Sequence, residues 1–142
     1  MEVKRTERGW AGHFIGSGHC TFRRNTLLEC GNRKWVVSTV GCYIPDMQGK
    51  HKVETIGAFG RYFETMAFEA EEMNGYIDAD VTKGIGFESE WCMSCDDDGT
   101  YEFTWDKFLE KYPHPDNAAN DMHEAVVEEL TLKIQKVDGQ NI

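Results

Sequence analysis

"RYFETMAFEAEEMNGYIDADV", residues 61–81, decides the fold. Its first half suits two structures. Glu, Ala and Met are good helix formers, yet Met66, Phe68 and Ala70 alternate with Thr65, Ala67 and Glu69, the two-residue period of a half-buried strand. The Asn74-Gly75 pair that follows separates the rivals. Asn-Gly between alternating runs is the strongest short-range hairpin signal, because a tight turn demands positive φ. The stretch is therefore expected to form two antiparallel strands. The second would carry Tyr76, Asp78 and Asp80 on one face and Ile77, Ala79 and Val81 on the other.

Upstream, "NTLLECGNRKWVVSTVGCYI" (25–44) reads as an earlier hairpin. Thr26 to Glu29 runs up, Cys30-Gly31-Asn32 turns, and the β-branched run from Lys34 to Val40 returns. Residues 42–60, with Pro45, Gly49, Gly57 and Gly60, read as a surface loop. Downstream, "GIGFESEWCM" gives a strand with Ile85, Phe87, Ser89 and Trp91 on one side, "SCDDDGT" a turn, and "TYEFTW" a further strand. Thr104 can cap a short helix over "WDKFLEKY" that stops before Pro113.

Residues 118–137 carry the clearest helical pattern, an apolar stripe of Ala119, Met122, Val126, Leu130, Ile134 and Val137. Asp116 or Asn117 suits its N-cap, and Asp121 its positive end. Lys133 and Lys136 suit the negative end, with Gly139 just beyond. Strands followed by helices mean α+β. The expected architecture is an antiparallel sheet of about five to seven strands, with a C-terminal amphipathic helix packed on one face. All 142 residues would form a single domain.

The composition supports a packed core, with 40% hydrophobic and 12% aromatic residues. No apolar run approaches the roughly 18 residues of a membrane span, and "MEVKRTERGW" lacks a secretory signal. The expected compartment is cytoplasmic, where five cysteines, an odd count, act as reduced small hydrophobes. Charge is unevenly placed. Residues 1–60 carry nine basic and five acidic side chains, residues 61–142 six and twenty, and the net charge is −10. Such a chain repels polyanions at a distance, which argues against direct nucleic-acid binding.

Four constellations hold residue types suited to chemistry. "GSGHCTF" (16–22) is neither a P-loop nor a dinucleotide fingerprint, since the Gly-Lys-Ser/Thr ending and the third glycine are both missing. His13, His19 and Cys20 are loosely spaced for zinc. Cys92 and Cys95 supply half of a zinc site that His114 or His123 could complete. "CDDDG" (95–99) fails as a calcium loop, because the twelfth position from Asp96 is Lys107 and the glycine stands fourth rather than sixth. Arg23, Arg24, Arg33 and Lys34 lie across the first hairpin and could hold an anionic nucleotide, although alternation sends Arg23 and Arg24 to opposite faces. No cofactor is implied and no residue takes a catalytic role.

The acidic surface is the remaining candidate. Asp96, Asp97, Asp98, Glu102, Asp106 and Glu110 crowd one region, and Asp121, Glu124, Glu128 and Glu129 lie on the long helix. Carboxylates on a rigid frame can imitate a phosphate backbone and fill a basic groove, with fast, salt-sensitive association.

The strings "GWAGHF", "FRRNTLL" and "WVVSTVG", with "RYFETMAFEA", "YIDADV" and "DMHEAVVEEL" later, span most of the chain. Together they resemble a group of small hypothetical proteins from phages and bacterial mobile elements. The resemblance implies an accessory gene product acting in the host cytoplasm, where small acidic phage proteins often inhibit host defence, as anti-CRISPR proteins do. The leading expectation is an interaction protein that docks its acidic face on a basic host protein, such as a nucleoprotein complex. It would touch neither nucleic acid nor membrane directly, and homodimer formation is possible. A nucleotide sponge using Arg23, Arg24, Arg33 and Lys34 is the first alternative, and a small metal-dependent enzyme using the Cys/His set the second.

Overall fold

The computed structural model describes residues 2–9, 19–44, 53, 62–73, 75–84, 89–91, 109–110 and 112–140. They form an α+β arrangement, an antiparallel sheet with one long C-terminal helix. Strands β1 (Lys4–Glu7), β2 (Cys20–Cys30), β3 (Arg33–Tyr43), β4 (Phe63–Met73) and β5 (Tyr76–Gly84) follow one another in space as in sequence, and β6 (Ser89–Trp91) also pairs with β4. Helix α1 spans Pro115–Gln140.

Both expected hairpins are present, each pivoting on a left-handed glycine. Gly31 (φ 62°) joins β2 to β3, and Gly75 (φ 86°) joins β4 to β5. The first hairpin is longer than expected. Pairing runs from Cys30↔Arg33 to Cys20↔Tyr43, so the turn is Gly31-Asn32 and the polar stretch 20–25 is strand. Strands β5 and β6 occupy successive parts of the same β4 edge. Gly84 opposes Phe68 while Ala79 opposes Ala70, and the bulge between them interrupts the ladder. Strand β1 pairs Lys4–Glu7 with Thr26–Glu29 and has no apolar residue of its own, so periodicity could not announce it.

Four cross-strand rows face the helix. They are Phe22–Gly41–Phe63, Arg24–Thr39–Thr65, Glu7–Thr26–Val37–Ala67 and Arg5–Leu28–Trp35–Glu69. Helix α1 crosses them in order. Ala119 and Met122 join the apolar cluster of Tyr62 and Phe63, with Phe22 against it. Val126, Val127, Leu130 and Ile134 pack with Leu28, Cys30, Trp35, Val37 and Ala67. Ala119 to Ile134 rises about 22 Å, and Phe22 to Cys30 covers about 26 Å of strand. The helix therefore lies along β2 and in its direction. On the opposite face Leu27, Val36, Val40 and Phe68 are buried as well. That explains the near-continuous apolar run "WVVSTV", since strands covered on both sides lose their alternation.

Gly41 belongs to the first row because nothing larger fits. Its φ is 152°, and a Cβ there would run into the Tyr62 carbonyl and the Phe63 ring.

Several expectations are corrected. The helix begins three residues before 118 and includes Gly139, while no basic residue stands in its last turn. Pro115 takes the first helical position, where its missing N–H costs nothing, and Asn117 N–H donates to the His114 carbonyl at 3.2 Å. Asp116 and Asn117 are therefore inside the first turn rather than its cap. The expected surface loop 42–60 is not all surface, since Tyr43 ends β3, and Ile44 and Val53 are core residues. Of the strand expected around 85–91, Ser89–Trp91 is found. Residues 85–88, 92–108 and most of 45–61 lie outside the described residues, including the expected strand at 100–105 and the N-terminus of the short helix at 105–112. No helix among the described residues is long and apolar enough to cross a membrane.

Candidate functional site

The second and third rows put polar groups in the middle of an apolar interface. His123, on the buried stripe of α1, is completely shielded from solvent. A buried polar group without partners costs several kcal/mol, and His123 has partners at both nitrogens. Nε2 lies 2.7 Å from Thr26 Oγ1 and Nδ1 lies 2.7 Å from Thr39 Oγ1. Thr26 Oγ1 is also 2.8 Å from Glu7 Oε1, and Thr39 Oγ1 is 2.6 Å from Thr65 Oγ1.

The end of this chain fixes its direction. An ionised carboxylate only accepts, so Thr26 must give its single hydroxyl proton to Glu7. Thr26 can then bond Nε2 only by accepting, which places the imidazole proton on Nε2. Nδ1 is left as an acceptor, Thr39 donates to it, and Thr65 donates to Thr39. The relay runs Thr65, Thr39, His123, Thr26, Glu7, with every buried proton assigned. Burial holds the His123 pKa down at about 4, with Arg24 acting in the same sense and Glu7 and Glu124 opposing. The ring is neutral at pH 7.

Two arginines and two glutamates close the rim of the joint. Arg5 from β1 grips Glu124 of α1 with both terminal nitrogens, Nη1 at 2.7 Å and Nη2 at 2.5 Å. Arg24 from β2 donates through Nη2 to Glu7 at 2.9 Å and to Glu124 at 2.5 Å, and through Nη1 to Asn120 at 3.2 Å. Burial would raise the Glu7 pKa, but hydrogen bonds from Arg24, Arg5 and Thr26 hold it at about 2. Glu124 is held at about 2, chiefly by Arg5 and then Arg24. The rim is charge-balanced. It attaches β1 and the helix to β2 and leaves no cation free to seize an anion.

This geometry redistributes the residues singled out from sequence. Arg23, Arg24, Arg33 and Lys34 do not converge. Arg24 and Arg33 face the helix side, Arg23 and Lys34 the other. Within each pair the residues sit six strand positions apart in the ladder, about 20 Å. Arg33 is occupied by Glu69 at 3.3 Å and lies over the Trp35 ring, 4.9 Å from its centre. Glu124, expected at a partner surface, is half-exposed and consumed by the rim. Asp121, Glu128 and Glu129 are exposed on the outer side of α1, take part in none of the ion pairs above, and are joined by exposed Asp116. Glu110 is exposed, whereas Asp96, Asp97, Asp98, Glu102 and Asp106 lie outside the described residues.

The metal candidates divide similarly. His123 has no lone pair to offer, because its one unprotonated nitrogen accepts from Thr39. Cys20 is buried, and burial raises its thiol to about 11. No group of three His, Cys, Asp or Glu side chains suited to a metal occurs among the described residues. His13, Cys92 and Cys95 lie outside them.

Sequence reasoning missed the relay. Its signal was present, since a histidine on an apolar stripe requires buried partners, and Thr26, Thr39 and Thr65 stand at inward positions of three strands. Comparison with known proteins adds no relative, as no family model, curated protein or solved structure matches the chain.

Proposed function

We propose that this chain is an interaction protein of the phage accessory type, whose docking element is the solvent face of α1. Its partner is a basic host protein, in the manner of a defence inhibitor that occupies a nucleic-acid groove. The observation that carries this reading is the division of carboxylates between two roles. Glu7 and Glu124 are spent on the chain's own arginines, whereas Asp121, Glu128 and Glu129 take part in none of those pairs and stand exposed on a helix seated firmly on the sheet. Asp121 and Glu128 lie seven residues apart, on one line of the helix and about 10 Å from each other. Exposed Leu132 continues that line one turn further. A rigid row of unneutralised acids meets a cationic surface without first breaking internal pairs, and attraction between the opposed fields speeds the encounter.

The experiment is capture from host lysate with immobilised protein, compared with the triple variant Asp121→Lys, Glu128→Lys, Glu129→Lys. The wild type should retain a basic protein that about 1 M salt releases, where the Debye length is about 3 Å. The variant should fold normally and retain none. Equal capture by the folded variant, or capture indifferent to salt, refutes the assignment.

A further inference from the structure

The relay at the helix–sheet joint has one member that acid can convert to a cation, the His123 imidazole. We propose that His123 is the acid-sensing element of this fold, a neutral ring protonated at Nε2 whose second protonation breaks the hydroxyl relay joining α1 to the sheet. The geometry leaves little room for an extra proton. A proton on Nδ1 would point at the hydrogen that Thr39 now directs at the ring. Thr39 would have to turn and donate to Thr65, and Thr65 would then need a new acceptor for its own proton. Thr65 is fully buried, and its hydroxyl is described with no partner besides Thr39. Thr26 cannot compensate, because its proton is committed to Glu7.

The charged groups around the ring do not rescue the imidazolium. Among the described residues they are Arg5 and Glu7 from β1, Arg24 from β2 and Glu124 from α1 itself, while β3 and β4 contribute only the hydroxyls of Thr39 and Thr65. Two cations and two anions largely offset one another, and burial decides the balance. The sign follows from linkage. A histidine harder to protonate in the folded state contributes stability that is complete above about pH 6.5 and lost as pH falls toward 4. At pH 5 the folding equilibrium constant should be reduced roughly 20-fold relative to pH 7. The apolar clusters on either side of the ring stay in place, so acid weakens the whole fold rather than ejecting the helix.

Two measurements test this on the full chain. Nitrogen-detected NMR of the histidine rings should show the His123 ring in the Nε2–H form, still neutral at pH 5. Urea unfolding at pH 7 and pH 5 should show the roughly 20-fold loss in the wild type and little of it in His123→Gln, which has nothing to protonate at that position. If that variant does not fold, the ring titration in the wild type decides alone. A His123 ring protonated on Nδ1, one that titrates near 6.5, or a His123→Gln protein that keeps the full pH-dependent loss would overturn the proposal.

Discussion

Replacing Thr39 by Val tests the direction of the relay. Valine matches threonine in shape, so packing among the neighbouring core residues changes little. The lost hydroxyl serves two buried groups at once, receiving the Thr65 proton and supplying one to His123 Nδ1. Each orphaned group costs about 1–3 kcal/mol. Allowing for relaxation and for the favourable burial of a methyl group, the net loss should be about 3 kcal/mol. With a urea slope of about 1–3 kcal/mol per molar, the midpoint should fall by roughly 1–3 M. Thr65→Val supplies the internal comparison. It removes the donor at the end of the relay but leaves the Thr39-to-His123 bond intact, so its cost should be about 1 kcal/mol. The assay is equilibrium urea unfolding at pH 7, followed by far-UV circular dichroism and tryptophan fluorescence together. A Thr65→Val loss equal to or larger than that of Thr39→Val, or a Thr39→Val loss under about 0.5 kcal/mol, would refute the assigned direction.

Gly41→Ala should destabilise by about 2–4 kcal/mol in the same assay, because a methyl group at φ 152° meets both the Tyr62 carbonyl and the Phe63 ring; a near-neutral effect would mean that β3 and β4 separate easily there. A second loss of stability should appear in acid, below the window set by His123. Glu7 and Glu124 are held at about 2, so their contribution is present above about pH 4.5 and disappears as pH falls through 2. Both are 45% exposed, so each should contribute only about 1 kcal/mol. Unfolding curves from pH 5 to pH 2 for the wild type and for Arg5→Met, which takes one cation from both carboxylates, should converge toward the acid limit.

The parts of this fold visible in the sequence are those that local chemistry dictates. Asn74-Gly75 outweighed the helix-forming Glu, Ala and Met of β4 because a two-residue turn fixes the strands on either side. The helix stripe from Ala119 to Ile134 needed only its own spacing. Strand β1 stayed hidden because "KRTE" gains its structure from pairing with β2 and has no apolar period. Residues 20–25 stayed hidden for a related reason, since Arg24 is stabilised by Glu7 and by the distant Glu124 and Asn120. The site followed the same logic. Opposite faces for Arg23 and Arg24 could be read from alternation, whereas the fate of Glu124 depended on two arginines about 100 or more residues away in the chain. Charge counted along a sequence does not distinguish a carboxylate facing solvent from one already spent.

The placing of Arg24, Thr26, Thr39 and Thr65 between two apolar clusters has a consequence for how the helix finds its seat. Leu, Val and Met slide past one another at little cost, so a helix held only by the two clusters could settle one turn out of place. One turn is about 5.4 Å, close to the roughly 6.6 Å between successive inward positions on a strand. A slip toward the β2–β3 turn would set His123 among Val37, Leu28 and Trp35, where neither nitrogen finds a hydroxyl and Arg24 loses Glu124. The polar band thus acts as an index mark, permitting one alignment of α1 on β2 among several that oily contacts alone would accept.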